Sequence, residues 1–380
     1  MAELKNKSAE LIDEDNLDEE DNDDEQYEKP TFRYDPEKIN IATKEPTIQL
    51  LLERIDEKAL DLAPDFQRQA NIWNDGAKSR LIESILIRIP LPAFYIDATD
   101  ENNWLVVDGL QRLSALNQFV NDKTDKRLRL SELEYLTELN GKTYDELERR
   151  YQRRILENQP TVYLIMKGTP IEVKYNIFKR INTGGVPLSP QELRHAINPG
   201  KATKFLAKLA DSQEFKKVIK LSDSRRLRMD DREFVLGFLA FKLTSYKEYK
   251  DETRDSFLNK GMFKVNKLSE ENLQEIELLF KKTMFNSFEI FGLNAFRKMS
   301  HETTKKYPVN KSLFEAWSVH LSCLSCQEIE ILKNKKQELI ERFINCVDND
   351  SEFLASISQA ANKVEYRFST IERIIQEVLQ

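Results

Sequence analysis

The chain has 380 residues with 40% hydrophobic content, and its formal net charge is −7. This length suits two domains, and 21 phenylalanines are enough to build real cores. No apolar run approaches the roughly 18 residues of a membrane span, and there is no basic-then-apolar signal peptide, so we predict a cytoplasmic protein with no membrane contact.

Acidic charge is concentrated at the N-terminus. Residues 1–28 carry thirteen acids and two lysines, so the rest of the chain has a balance of +4. Because this segment has few large apolar side chains to offset the entropy of ordering, we predict a disordered tail over residues 1–30 that improves solubility. A second interpretation stays open, in which the tail mimics DNA and covers a basic face of the body.

The first predicted elements build a small sheet with helices beside it. From Pro46 a short helix and a strand lead to a loop that ends in Gln67 and Arg68, and Asp75 is placed to cap the next helix. Two strands follow, AFYID and WLVVD, and the polar loop between them predicts a hairpin. A later continuous apolar run, PTVYLIM, predicts a strand in the interior of the sheet.

The stretch WLVVDGLQRLSAL changes from strand spacing to helical spacing at Asp108. Asp108 and Gln111 stand three apart as in a capping box, and Gly109 between them permits a tight turn. A helix start binds anions through its unpaired N–H groups, and Arg112 adds a charged fork, so a phosphate fits here. The alternative is an ordinary capped helix in which Arg112 pairs with a surface acid.

A second motif, FKRINTGGVPLSPQELR, joins two predicted helices. The first runs from Ile171 to Ile181, and the second begins with Ser189 as N-cap, followed by Pro190 and the capping-box partner Glu192. We expect an exposed helix start, at which polar groups converge as a polyphosphate or DNA backbone requires. A plain corner between two helices explains the glycines and caps equally well, but not the clustering of Arg180, Asn182, Gln191 and Arg194.

From about residue 201 the spacing is helical and predicts a separate helical domain. Its densest basic patch contains Arg225, Arg226 and Arg228, which are candidate DNA contacts; the alternative is a solvated helix start with internal ion pairs. A zinc site is conceivable from one His and three Cys, but their helical spacing is more typical of core side chains. These four residues are His320, Cys323, Cys326 and Cys346.

Both motifs resemble signatures of one family. DGLQR is similar to the DGQQR signature of the domain of unknown function 262 family, which is also the N-terminal half of the GmrSD type IV restriction enzymes, and the second motif is similar to that family's second signature. Leu110 stands where the family has its first glutamine, so any role of that amide moves to Gln111. The resemblance implies an α+β fold, with a ParB/sulfiredoxin-like mixed-sheet domain over residues 31–200 and an all-helical domain over residues 201–380.

The resemblance also implies nucleotide binding, with hydrolysis as a family activity, in a prokaryotic antiviral or restriction-type defence system that acts on foreign or modified DNA. We therefore predict a sensor or switch component with weak NTPase activity. Asp108, Gln111 and Arg112 are the candidate catalytic residues, with Arg112 neutralising phosphate and Asp108 holding Mg²⁺ or orienting water. The predicted nucleotide contacts are Gln67, Arg68, Gly109, Arg180, Asn182, Thr183, Gly184, Gly185, Gln191 and Arg194.

Two other functions stay open. One is a DNA-binding adaptor without turnover that recruits a separate nuclease, and the other is a ParB-like nuclease that acts alone with a metal. An HNH nuclease is not expected, because the three histidines are scattered along the chain. The predicted partners are an NTP, DNA, and a nuclease or other defence-system protein, and the sequence leaves an oligomer open.

Overall fold

The computed structural model describes residues 36–62, 73–181, 188–198, 200–250, 252–303, 306–358 and 363–380. The chain divides into two units, one from Tyr34 to Leu188 and the other from Ser189 to Gln380. The predicted acidic tail lies outside the described residues. Within the described ranges, no helix combines the length and the apolar character needed to cross a membrane.

Five strands described in the first unit form one mixed sheet in the order β1-β5-β3-β4-β2. These strands are β1 Ile41–Lys44, β2 Leu60–Asp61, β3 Phe94–Ala98, β4 Trp104–Asp108 and β5 Val162–Met166. Strand β3 pairs antiparallel with β4 and parallel with β5, which confirms the predicted hairpin and the interior position of the apolar strand. Along β3 the side chains of Phe94, Ile96 and Ala98 are buried and those between them are less so, as the period of two requires.

The α-helices described in the first unit pack on this sheet and on one another. They are α1 Ile48–Asp56, α2 Asp75–Leu86, α3 Leu110–Val120, α4 Arg149–Leu156 and α5 Ile171–Ile181. Helix α3 places Leu113 in the apolar cluster of the sheet and Leu116 in a second cluster between helices. Because α3 is held on two sides, the turn that joins it to β4 is held as well.

The N-cap of helix α2 lies one residue earlier than the sequence predicted. Asn74 has an extended backbone, and its side chain accepts a hydrogen bond from the Ala77 N–H, so it is the N-cap. The prediction that Asp75 caps this helix was therefore wrong. Asp75 is the first helical residue, where its negative charge favours the positive end of the helix dipole.

The regular structure described in the second unit is helical, apart from an isolated bridge between Arg297 and Val309. Its α-helices are α6 Pro190–Ile197, α7 Lys201–Ala210, α8 Gln213–Val218, α9 Asp223–Leu227, α10 Asp230–Leu243, α11 Arg254–Lys267, α12 Glu270–Phe291, α13 Lys311–Leu321, α14 Cys326–Asn334, α15 Lys336–Asn349, α16 Ser351–Ser358 and α17 Val364–Leu379. An apolar cluster rich in aromatic rings fills it, with Phe234 and Phe314 edge to face at 5.3 Å between ring centroids. The predicted fold class, a small mixed sheet followed by a helical region, is confirmed.

Candidate functional site

The first motif forms a strand-to-helix turn in the first unit. Strand β4 extends through Asp108, Gly109 occupies the N-cap position with φ +98°, and α3 begins at Leu110. The predicted capping box between Asp108 and Gln111 was therefore wrong, because the strand runs one residue further and leaves the cap position to glycine. No side chain in the described part of the chain caps this helix start.

Glycine is required at position 109 for two physical reasons. Its φ lies in the left-handed region, which costs other residues roughly 1–2 kcal/mol. A Cβ added there would also lie 2.3 Å from Cδ1 of Phe94, a fully buried ring of β3. The predicted tight turn at Gly109 thus allows the backbone to pack directly against the Phe94 ring of the sheet.

Arg112 lies above that same ring, with its guanidinium carbon 4.5 Å from the centre of Phe94. Its side chain donates to Oδ2 of Asp108 at 2.7 Å, to the carbonyl oxygen of Ala93 at 3.2 Å, and to the carbonyl oxygen of Pro92. Only 8% of Arg112 is exposed. Arg112 is thus held in place, where it contacts the residues just before β3 and orients the Asp108 carboxylate.

The carboxylate of this pair is the more accessible partner. The Asp108 side chain is 32% exposed. Burial raises the pKa of Asp108, and the adjacent Arg112 guanidinium together with the Gly109 N–H opposes that rise. Burial likewise lowers the pKa of Arg112, with Asp108 opposing. Of these two side chains, Asp108 is therefore the one that can reach a ligand, and it takes up a proton more readily than an ordinary aspartate.

Helix α5 is fastened to the sheet by an ion pair that sequence reasoning missed. Lys174 donates to Oδ2 of Asp97 at 2.9 Å, and both side chains are largely buried. Asp97 also accepts from the Thr99 N–H at 2.9 Å, the local pattern that a short Asp-x-Thr sequence could have indicated. Helix α5 packs against β4 and ends at Ile181, as predicted, with Arg180 exposed in its last turn.

Several predicted contacts lie outside the described residues. These are Gln67, Arg68, Asn182, Thr183, Gly184 and Gly185. Their roles remain predictions. The structure brings together Asp108, Gly109 and Arg112 in the first unit, whereas Gln191 and Arg194 belong to the second unit.

The second motif starts α6 with the predicted cap. Ser189 Oγ accepts from the Glu192 N–H at 3.2 Å, and the Glu192 carboxylate accepts from the Ser189 N–H at 2.6 Å, so the capping box is confirmed. The expected exposure of this helix start was wrong for two residues, since Gln191 is 0% and Arg194 1% exposed. The reason is that α6 packs against α10 and α11, which cover its first turns.

Arg194 is the entry point to a buried network of charges. It donates to Oε1 of Gln191 at 3.0 Å, lies 3.4 Å from Oε2 of Glu233, and also pairs with Asp255. Burial acts to raise the pKa of Glu233, but Lys311, Arg194 and Arg254 outweigh it and hold that pKa far below its usual range. Acids and bases interleave here, which is the pattern of a charge-balanced interior.

The predicted basic patch lies on α9 and its C-cap, Arg228, and it forms ion pairs within the second unit. Arg225 donates to Oδ2 of Asp230 at 2.6 Å, and Nη1 of Arg228 lies 3.3 Å from Oε2 of Glu192. Arg226 is exposed. Two of the three arginines are therefore engaged in ion pairs, as the alternative interpretation of this patch expects, and their DNA contact stays a prediction.

The zinc candidates have other surroundings. His320 lies with Nε2 2.9 Å from the carbonyl oxygen of Phe368, and burial lowers its pKa. Cys323 and Cys326 are exposed, and Lys242 and Lys282 contact them at 3.4 and 3.1 Å. Over the described ranges, no group of three or more His, Cys, Asp or Glu side chains is arranged to hold a metal ion.

The turn from β4 into α3, with its Asp108–Arg112 pair, lies within the segment that the family comparison covers. The family model described as GmrSD restriction endonuclease, N-terminal domain, matches residues 48–198. This match confirms the resemblance predicted from the two motifs and points to a component of a restriction-type defence system. No curated protein and no solved structure matched the chain.

Proposed function

We propose that the chain is a nucleotide-binding component of a restriction-type defence system, and that the nucleotide's phosphates bind at the turn between β4 and α3. The observation that carries the proposal is the fixed Arg112–Asp108 pair, 2.7 Å apart, beside a helix start whose cap position is a glycine. Helix starts favour anions through N–H groups and dipole, and here no side chain among the described residues occupies the cap. The turn also lies inside the matched segment.

The chemistry of the pair supports a role for Asp108 in holding a divalent cation. A carboxylate next to phosphates is repulsive unless a cation stands between them, and Mg²⁺ typically takes one or two carboxylates together with phosphate oxygens. Asp108 is one partly exposed carboxylate, and the described residues hold no cluster that would bind a metal alone. The side chains present thus fit a cation that arrives with the nucleotide.

Arg112 acts mainly through Asp108 in this proposal. Its guanidinium already donates to the Asp108 carboxylate and to two backbone carbonyls, so these donors are engaged within the protein. It holds the carboxylate in one orientation and contributes a fixed positive charge near the helix start. Arg180, exposed at the end of α5, is the candidate for a direct phosphate contact. The helical unit would then couple the nucleotide state to DNA or to a nuclease partner.

The test is a titration of the full chain with each NTP, with and without Mg²⁺, followed by a phosphate-release assay. Mg²⁺ should strengthen binding to the wild-type chain at least tenfold, which corresponds to about 1.4 kcal/mol. In Asp108→Asn nucleotide binding should persist, but Mg²⁺ should no longer strengthen it and any phosphate release should stop.

Asp100→Asn is the matched control, because it makes the same change at an exposed acid of the connection between β3 and β4. It should behave as wild type. The absence of nucleotide binding in the wild-type chain would reject the proposal. An Asp108→Asn variant with unchanged Mg²⁺ dependence would reject the assignment of the cation.

A further inference from the structure

Helix α4 carries four arginines in eight residues, RRYQRRIL, and the sequence motifs give it no role. Its inward side is Ile155, which is fully buried, whereas Arg149, Arg150 and Arg153 are exposed. The fourth arginine, Arg154, donates to the carbonyl oxygen of Leu86 at 2.6 Å and so joins α4 to the end of α2. The helix therefore separates one structural arginine from three that point to the surface.

Two features of these positions disfavour the helix electrostatically. Arg149 and Arg153 stand four apart on one helix face, where like charges destabilise a helix by a few tenths of a kcal/mol. Arg149 and Arg150 also open the helix, at the positive end of its dipole. Glu148 lies 2.9 Å from Arg150, but their side chains are 61% and 63% exposed, so this ion pair offsets little.

A second and independent observation comes from the end of α2. Arg88 has φ +66°, and it sits in a helix-ending motif in which its N–H donates to Ile85 and the Ile89 N–H donates to Ser84. Glycine is the residue favoured at this left-handed position, and another side chain there costs roughly 1–2 kcal/mol. The chain keeps an exposed arginine in that place, two residues beyond the carbonyl that Arg154 contacts.

We propose that these four exposed arginines, Arg88, Arg149, Arg150 and Arg153, form an arginine face that binds the phosphate backbone of duplex DNA. Guanidinium forks match phosphate oxygens in pairs, and a phosphate between two helix-face arginines removes their mutual repulsion. Contacts of this kind position a protein on DNA without reading its sequence. None of the four arginines belongs to the turn at Gly109, and this inference does not depend on nucleotide binding.

The test measures binding of the full chain to a labelled duplex of about 20 base pairs, without nucleotide, over a series of salt concentrations. Each phosphate contact contributes about 0.9 to the slope of log affinity against log salt. The triple variant R149Q/R150Q/R153Q should lose at least tenfold in affinity at low salt, and its slope should fall by about 2 to 3. Each single variant should lower the slope by about 0.9.

The matched control is R129Q/R342Q/R373Q, which removes the same number of arginines at positions outside the arginine face. Because these arginines pair with Glu146, Glu338 and Glu377, the salt slope of this variant should equal that of wild type. Thermal melts of all variants check folding, and the single variants decide the result if a triple variant unfolds. An unchanged slope in the α4 variants, or binding of single-stranded DNA but not of duplex, would overturn the proposal.

Discussion

The two units use arginine in opposite ways. In the second unit Arg194 is almost fully buried and contacts Gln191, Glu233 and Asp255. Its charge therefore stabilises the packing of helices. In the first unit three arginines of α4 are exposed, with one weak ion pair to Glu148 between them. The comparison teaches that a motif arginine is not automatically a ligand contact, and that an arginine without a motif can be the better candidate.

The largest expected effect is on the buried side of this comparison. Arg194→Gln removes one cation from a buried network and leaves the Glu233 and Asp255 carboxylates with one partner fewer. Removing one member of a buried pair typically costs 3–5 kcal/mol, and we expect about 3 because Lys311 and Arg254 still face Glu233. Urea unfolding followed by circular dichroism measures the loss. A loss below about 1 kcal/mol would show that Arg194 is dispensable to the fold, and its predicted role as a nucleotide contact would then be favoured again.

An intermediate effect is expected at Glu83 of α2, a buried acid held mainly by backbone donors. Its carboxylate accepts from the N–H groups of Glu134, Tyr135 and Leu136 at 3.0, 2.7 and 2.8 Å. Burial acts to raise the pKa of Glu83, but these three donors outweigh it and lower the pKa. Glu83→Gln should cost about 1.5–3 kcal/mol at pH 7, since charge-assisted hydrogen bonds are weakened.

The pH dependence of that cost has a definite sign. A carboxylate whose pKa is lower in the folded chain stabilises it fully above the ordinary value near 4.5, and this contribution disappears as the pH falls through the lowered pKa. The free energies of unfolding of wild type and of Glu83→Gln should therefore converge as the pH falls below 4.5 and through the lowered pKa. Glu157→Gln, at an exposed acid, is the control. A difference that stays constant from pH 7 to pH 3 would contradict the role of the charge.

The smallest effect on stability is expected at the exposed arginines. Arg150→Gln breaks the ion pair to Glu148, and exposed pairs are worth about 0.2–1 kcal/mol. The same variant should still lower the salt slope of DNA binding, so stability and binding separate at this residue. Equal and large losses of both would mean that α4 is structural like α6, and the contrast between the two units would disappear.

Much of the fold followed from spacing and caps. The bounds of α5 and the capping box of α6 were predicted residue for residue, because Ser189, Pro190 and Glu192 act locally. The strands were found for the same reason, since β3 to β5 are short apolar runs between turn residues. The predicted cap at Asp108 was wrong because strand pairing with Tyr95, a nonlocal interaction, carries β4 one residue further and leaves the cap position to Gly109.

The site was less predictable, because burial depends on neighbours that are distant in the sequence. The polar spacing of Gln191 and Arg194 is that of an exposed helix turn, and only the acids of α10 and α11 make it an interior. Arg112 could not be assigned to the carbonyls of Pro92 and Ala93 from the motif alone, since they lie about twenty residues earlier. The sequence did not predict the arginine face, because a run of charge on a short helix is usually only solvated.

The strand order has a consequence for how the chain folds as it is made. The first strand of the sheet pairs with the last, Ile41 with Ile165, while β5 also pairs with β3. Strand β1 can therefore join the sheet only after β5 has left the ribosome. At a synthesis rate of roughly 5–20 residues per second, the two strands are made several seconds apart. During that interval β3, β4 and α3 have already been synthesised, so we expect the turn that carries Asp108 to form before β1 and β5 complete the sheet.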